Sequence, residues 1–141
     1  GALRAGTAER QALRHFGEYL GMAFQIVDDL LDYTEEEAVT GKPSGNDLRE
    51  HKVTLPLIYA LDRLTPAARR EVQTLMATAE PSDQLIARVV ELVGEAGGLD
   101  YARNRAQGLA EQADQALDAL PGSAARDTLR DSITYVLDRR R

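Results

Sequence analysis

Apolar residues in this chain recur at helical spacing, and no stretch alternates apolar and polar in the manner of a strand. The first run, Leu13, Phe16, Leu20, Phe24, Val27 and Leu31 with Ile26 and Leu30 beside it, predicts a helix from about Thr7, a plausible N-cap, to Tyr33. A polar stretch, Thr34 to Asn46, carries Gly41, Pro43 and Gly45 and reads as a loop. A helical segment is expected over Leu48 to Leu64, with Pro56 starting or kinking a helix there. Thr65-Pro66 then opens a helix to about Thr78, and Pro81-Ser82-Asp83 opens another that ends before Gly97-Gly98. Leu99, Ala102, Ala106, Leu109, Ala113, Leu117 and Leu120 mark a long amphipathic helix. Pro121-Gly122 stops it, and Ser123 caps a last helix through Val136. The expectation is an all-α chain in which residues 1–141 form one domain, without repeats or a linker.

The first helix carries the candidate chemistry. At about 100° per residue, with Gln25 as zero, Asp28 falls near 300°, Asp29 near 40° and Asp32 near 340°. Gly21 and Gly17 fall near 320° and 280°, so the same face lacks side chains over the two preceding turns. The rest of the wheel is apolar, which predicts a central, buried helix. Three carboxylates on its one open face repel each other and lose hydration, so their pKa values should rise unless a cation arrives. Magnesium suits such a site better than calcium, because it takes one or two carboxylates and completes its shell with water and phosphate oxygens.

Asp-Asp-x-x-Asp alone is more often a solvated acidic helix face or a helix end than a metal site. The neighbourhood changes the reading. Gly41-Lys42-Pro43-Ser44-Gly45-Asn46-Asp47-Leu48 and Lys52-Val53-Thr54-Leu55-Pro56 follow closely, setting Lys42 and Lys52 on either side of another carboxylate, Asp47. Lysines beside clustered carboxylates suggest an anion shared with a metal, in outline a magnesium–diphosphate site.

The segment from about Gly17 to Leu61 resembles the second aspartate-rich region of the trans-isoprenyl diphosphate synthases, the polyprenyl synthetases. The ending Tyr135-Val136-Leu137-Asp138-Arg139-Arg140-Arg141 is similar to that of medium- and long-chain members. The resemblance implies an isoprenoid-synthase-type helical bundle around a central cavity, with this chain as its C-terminal part. It implies that Asp28 is a magnesium ligand facing an allylic diphosphate. Asp29 and Asp32 hold the remaining motif positions, Asp32 acting through water, and Asp47 supports metal-bound waters. Lys42 and Lys52 would contact the allylic diphosphate, while Phe24 and Gln25 would line the substrate cavity. The implied reaction is head-to-tail prenyl transfer: an allylic diphosphate ionises, isopentenyl diphosphate attacks the cation, and a proton is lost. Members carry two aspartate-rich motifs, and this chain contains one. Its start resembles the loop after the family's Lys-Thr helix, so a chain holding half an active site is expected. A homodimer in the cytoplasm is a further family expectation. A non-catalytic subunit of a heteromeric synthase and a terpene cyclase on the same fold are the alternatives. The intact carboxylates and lysines argue against the first, and the Gly-Lys-x-x-Gly-x-Asp element followed by Lys52 argues against the second.

A net charge of −6 argues against nucleic-acid binding. The absence of cysteine excludes disulfides and cysteine-ligated zinc within the chain and fits a reducing compartment. No apolar run reaches the ~18 residues of a spanning helix. The Arg139–Arg141 run reads as solvated, the resemblance leaving an approach to the diphosphates as the alternative; His15 reads as packed or surface, and His51 as a neighbour of Lys52 more often without a role than brushing substrate. No Glu-x-x-His pair supports a di-iron bundle.

Overall fold

The computed structural model describes residues 2–34 and 44–138. Among them the chain is all-α, with seven helices and no strand: α1 (Ala2–Thr34), α2 (Asn46–Arg49), α3 (Leu55–Leu61), α4 (Pro66–Ala77), α5 (Asp83–Glu95), α6 (Gly98–Leu117) and α7 (Ala124–Leu137). The caps predicted at Thr65, Ser82 and Ser123 are formed. The hydroxyls of Thr65, Ser82 and Ser123 each accept a backbone N–H three residues on, all at 3.1 Å. Each such cap stabilises its helix by about 1 kcal/mol relative to alanine.

Three expectations change. Helix α1 starts at Ala2, so Thr7 lies inside it rather than at its N-cap; Ala2, Leu3, Arg4 and Ala5 are strong helix formers, and no proline stops the helix there. The segment expected as one helix over Leu48 to Leu64 is two, α2 and α3. Pro56 sits in the first turn of α3, where its missing N–H leaves no hydrogen bond broken. Ahead of it, Thr54 is extended at φ −112°, ψ 173°. Finally, α1 is buried on one stripe instead of all round. Ala12, Phe16, Ala23, Val27, Leu30 and Tyr33 are buried, while Leu13, Met22 and Phe24 stay 43–45% exposed. The described helices cover one side of α1 only.

The chain divides into two compact units. One comprises residues up to Val27 and from Asn104 onward. Its core joins Phe16 to Ala110, Ala113, Leu117 and Ile133, with Tyr19, Leu20 and Leu129 against it. Arg130 of α7 reaches the Asp114 carboxylate at 2.6 Å and that of Asp118 at 3.0 Å, linking α7 to α6. The other unit comprises residues 28–103. In it α5 packs on α3 and α4, and Tyr33, Leu48, Leu57, Leu75, Ile86, Val89 and Val93 share one core. Each such aliphatic side chain contributes about 1.5–3 kcal/mol on burial. Gly98 belongs here for a steric reason: a Cβ at its position would collide with the Pro56 carbonyl and press on Val93. Its absence lets α6 start directly against α3.

Candidate functional site

The carboxylate cluster lies in the second unit, and its framework is backbone. The Asp32 carbonyl on the last turn of α1 accepts the N–H of Gly45 at 2.8 Å. The Asp32 carboxylate accepts the N–H of Asp47 at 3.0 Å. Two hydrogen bonds therefore staple the end of α1 to the start of α2. The staple needs Gly45: its φ is 79°, and a Cβ there would lie 2.5 Å from Cγ2 of Ile86. Glycine is the residue that adopts this conformation without steric cost, and the site is filled from the α5 side.

Past α2 the chain turns back on itself. The N–H of Lys52 donates to the Asp47 carbonyl at 2.8 Å, and its ammonium lies 3.9 Å from the Asp47 carboxylate and 3.0 Å from that of Glu50. Glu50, which no motif singled out, is thus the nearer anion. The ammonium is exposed, and its neighbours hold its pKa above the ordinary range, chiefly the Glu50 hydrogen bond and charge, then Asp47.

The expected rise in carboxylate pKa appears at two positions. Asp32 is pushed up by burial, then by the charges of Asp47 and Asp29, against the lowering effect of the Asp47 N–H. Asp47 is pushed up by burial and by Glu50 and Asp28, with Lys52 pulling it down. Asp47 is consequently within electrostatic reach of Asp28, Asp32 and Lys52, and Asp32 is within reach of Asp29 and Lys52 as well. Phe24 and Gln25 lie on the preceding turn of α1, both with exposed side chains. Lys42 lies outside the described residues, as do Gly41, Pro43 and the Arg139–Arg141 run.

Behind the cluster Tyr33 is 4% exposed, and its phenol is pushed up by burial and by Asp32, Asp47 and Asp29. The Thr54 hydroxyl is near enough to favour the ionised phenol, yet neither hydroxyl finds a partner of hydrogen-bonding geometry. The sequence left both without chemistry, and no spacing rule would have paired them.

A hard divalent cation fits this donor set in one respect: two carboxyls with raised proton affinity are places where positive charge is wanted. It does not fit as a closed cage. Among the described residues no three acidic or histidine side chains converge on one point, and one Asp32 oxygen is already engaged by a backbone N–H. Such a site would leave most of the coordination shell to water and ligand oxygens, the habit of magnesium. A separate cavity of about 540 Å³ is lined by Gln107, Asp114, Arg130, Ile133 and Leu137 and includes none of these residues.

The structure thus places Asp32, Asp47 and Lys52 together on a backbone staple that the sequence did not announce. The chain belongs to the polyprenyl synthetase family, whose model matches residues 1–93. It is 41% identical over 139 residues to an all-trans-nonaprenyl-diphosphate synthase (geranyl-diphosphate specific) of Rhodobacter capsulatus, covering 98% of this chain and 42% of that protein. With the octaprenyl diphosphate synthase of Escherichia coli it shares 38% identity over 121 residues, covering 86% and 37% respectively. Among solved structures, a decaprenyl diphosphate synthase from Rhodobacter capsulatus superposes with a TM-score of 0.85 at 37% identity, over 96% of this chain and 42% of that one. A polyprenyl synthase from Caulobacter crescentus, complexed with calcium and isoprenyl diphosphate, gives 0.86 at 34% identity, over 96% and 41%. The chain therefore spans about two fifths of the length of these relatives. Among the described residues no helix is long and apolar enough to cross a membrane.

Proposed function

We propose that the protein is a prenyltransferase that joins isopentenyl diphosphate head-to-tail to an allylic diphosphate, and that this chain supplies the side of the site that holds the allylic diphosphate. The observation that carries the reading is the stapled pair: Asp32 accepting the Asp47 N–H, with the Lys52 ammonium 3.9 Å from Asp47. It combines carboxylates for a cation with an exposed cation for an anion, on a backbone that holds both in place.

Asp28 and Asp29 would hold magnesium directly, with Asp32 and Asp47 anchoring its waters. A magnesium ion held there would supply positive charge against the departing diphosphate. Lys52 would add positive charge on the same oxygens, so charge that builds as the carbon–oxygen bond breaks is met by a group held on the turn; the resemblance gives Lys42 the same role. Lys52 can turn from Glu50 to the diphosphate without leaving the turn that carries it, because its backbone N–H stays on Asp47. Phe24 and Gln25 border the path of the prenyl chain. Homodimerisation and a cytoplasmic location remain expectations carried by the resemblance.

Two measurements test the reading. Calorimetric titration with inorganic diphosphate should give binding with magnesium and none without it. Asp28→Ala should abolish magnesium-dependent condensation in the protein; an unchanged rate would remove Asp28 from the site and the reading with it.

A further inference from the structure

The turn that presents Lys52 contains His51, the only non-glycine residue with positive φ among the described residues, at φ 61°. That conformation is costly for an L-residue with a large side chain, though histidine is found there more often than most. Two hydrogen bonds explain what it achieves. The His51 N–H donates to the Leu48 carbonyl at 2.9 Å and the Lys52 N–H to the Asp47 carbonyl at 2.8 Å. With α2 ending at Arg49 and capped by Glu50, these are the paired bonds of a Schellman cap, and His51 takes the left-handed position normally given to glycine. The cap is what folds Lys52 back beside Asp47, since the residue after the left-handed one must donate to the carbonyl where Asp47 stands.

The imidazole does something glycine could not. Its Nε2 lies 2.7 Å from the backbone carbonyl of Thr78, which closes the C-terminus of α4. A carbonyl only accepts, so Nε2 carries the proton in this contact. The bond ties the cap to an element 27 residues away in the chain.

We infer that His51 is a positioning residue for Lys52: its left-handed backbone closes the cap that sets the lysine beside Asp47, and its ring braces that cap against the end of α4. The inference rests on the proposed diphosphate role of Lys52. His51 itself touches no substrate.

The test compares Lys52→Gln, His51→Gly and His51→Ala by titration of the protein with magnesium and inorganic diphosphate, with magnesium alone and thermal unfolding as companion measurements. His51→Gly allows the backbone and removes the brace; losing one hydrogen bond of this kind should weaken diphosphate binding about three- to tenfold. His51→Ala removes the brace and disfavours the cap, so it should bind more weakly still. Magnesium alone should bind both variants as it binds the parent, and His51→Gly should melt no lower than His51→Ala. Diphosphate binding within twofold of the parent for both His51 variants, with Lys52→Gln impaired, would overturn the inference and leave the diphosphate reading intact. An unimpaired Lys52→Gln would overturn the diphosphate reading and the inference together.

Discussion

Gly45→Ala is the perturbation whose consequence the structure defines best. Gly45 stands at φ 79°, its N–H on the Asp32 carbonyl, with Ile86 Cγ2 at 2.5 Å and Val90 Cγ2 at 3.3 Å from any Cβ placed there. A left-handed conformation costs a non-glycine residue roughly 1–2 kcal/mol. Forcing a methyl group into a filled site costs about 1–3 kcal/mol more. The sum, about 2–5 kcal/mol, is a large share of the roughly 5–15 kcal/mol that holds a typical domain together. Urea unfolding followed by circular dichroism should show the midpoint falling with the slope unchanged. Ile86→Ala separates the two contributions. It destabilises by itself, by about 2–5 kcal/mol for a buried aliphatic truncation, but it removes the colliding methyl. The double variant should therefore be more stable than the sum of the single changes predicts, by the part of the cost that is collision. If Gly45→Ala unfolds within ~0.5 kcal/mol of the parent, the usual range for a neutral surface change, the turn does not hold α2 against α5 as described. The stapled arrangement of Asp32 and Asp47 would then need another explanation.

Other outcomes follow from the same contacts. Tyr33→Phe removes a buried hydroxyl that lacks a well-formed partner, so thermal unfolding should show stability unchanged or raised by up to about 1 kcal/mol; a clear loss would mean that the hydroxyl is satisfied in solution. Because Asp32 and Asp47 have raised pKa values in the folded chain, the folded state binds more protons than the unfolded one from the ordinary aspartate value of 3.8 up to the raised values. Their contribution to metal-free stability is present at the acid end of that window and lost as pH rises through it. Asp47→Asn should flatten this part of the pH–stability profile, and an unchanged slope there would contradict the shift. Gly17→Ala should stabilise α1 by roughly 0.5–1 kcal/mol, since a Cβ there meets nothing within 4 Å and the helix gains propensity. A destabilised variant would show that this face is packed in solution.

The legibility of the site followed the chemistry of each residue. Asp28, Asp29 and Asp32 were readable because helical periodicity places them on one face whatever surrounds the helix. Asp47 and Lys52 were readable because their residue types at that spacing carry the family's signature. The roles of His51, Glu50 and Tyr33 are not legible in the sequence, because they lie in surroundings that spacing does not announce: a carbonyl at residue 78, an ammonium held across a turn, and burial beside the aspartates. The merged helix over Leu48 to Leu64 failed for a related reason. Hydrophobic periodicity carries across a short break when both sides face one core, as Leu48 and Leu57 do here.

Local physics determined the helical class, the caps at Thr65, Ser82 and Ser123, the turn at Gly45 and the carboxylate face of α1, because each depends on residues within one or two turns of chain. Tertiary structure alone decided which stripe of α1 is buried, that the Asp32 carboxylate receives the Asp47 N–H, and that His51 is braced on Thr78. Those contacts join residues 15 and 27 positions apart, and their distances are set by how α1, α2, α4 and α5 pack, which no local pattern encodes.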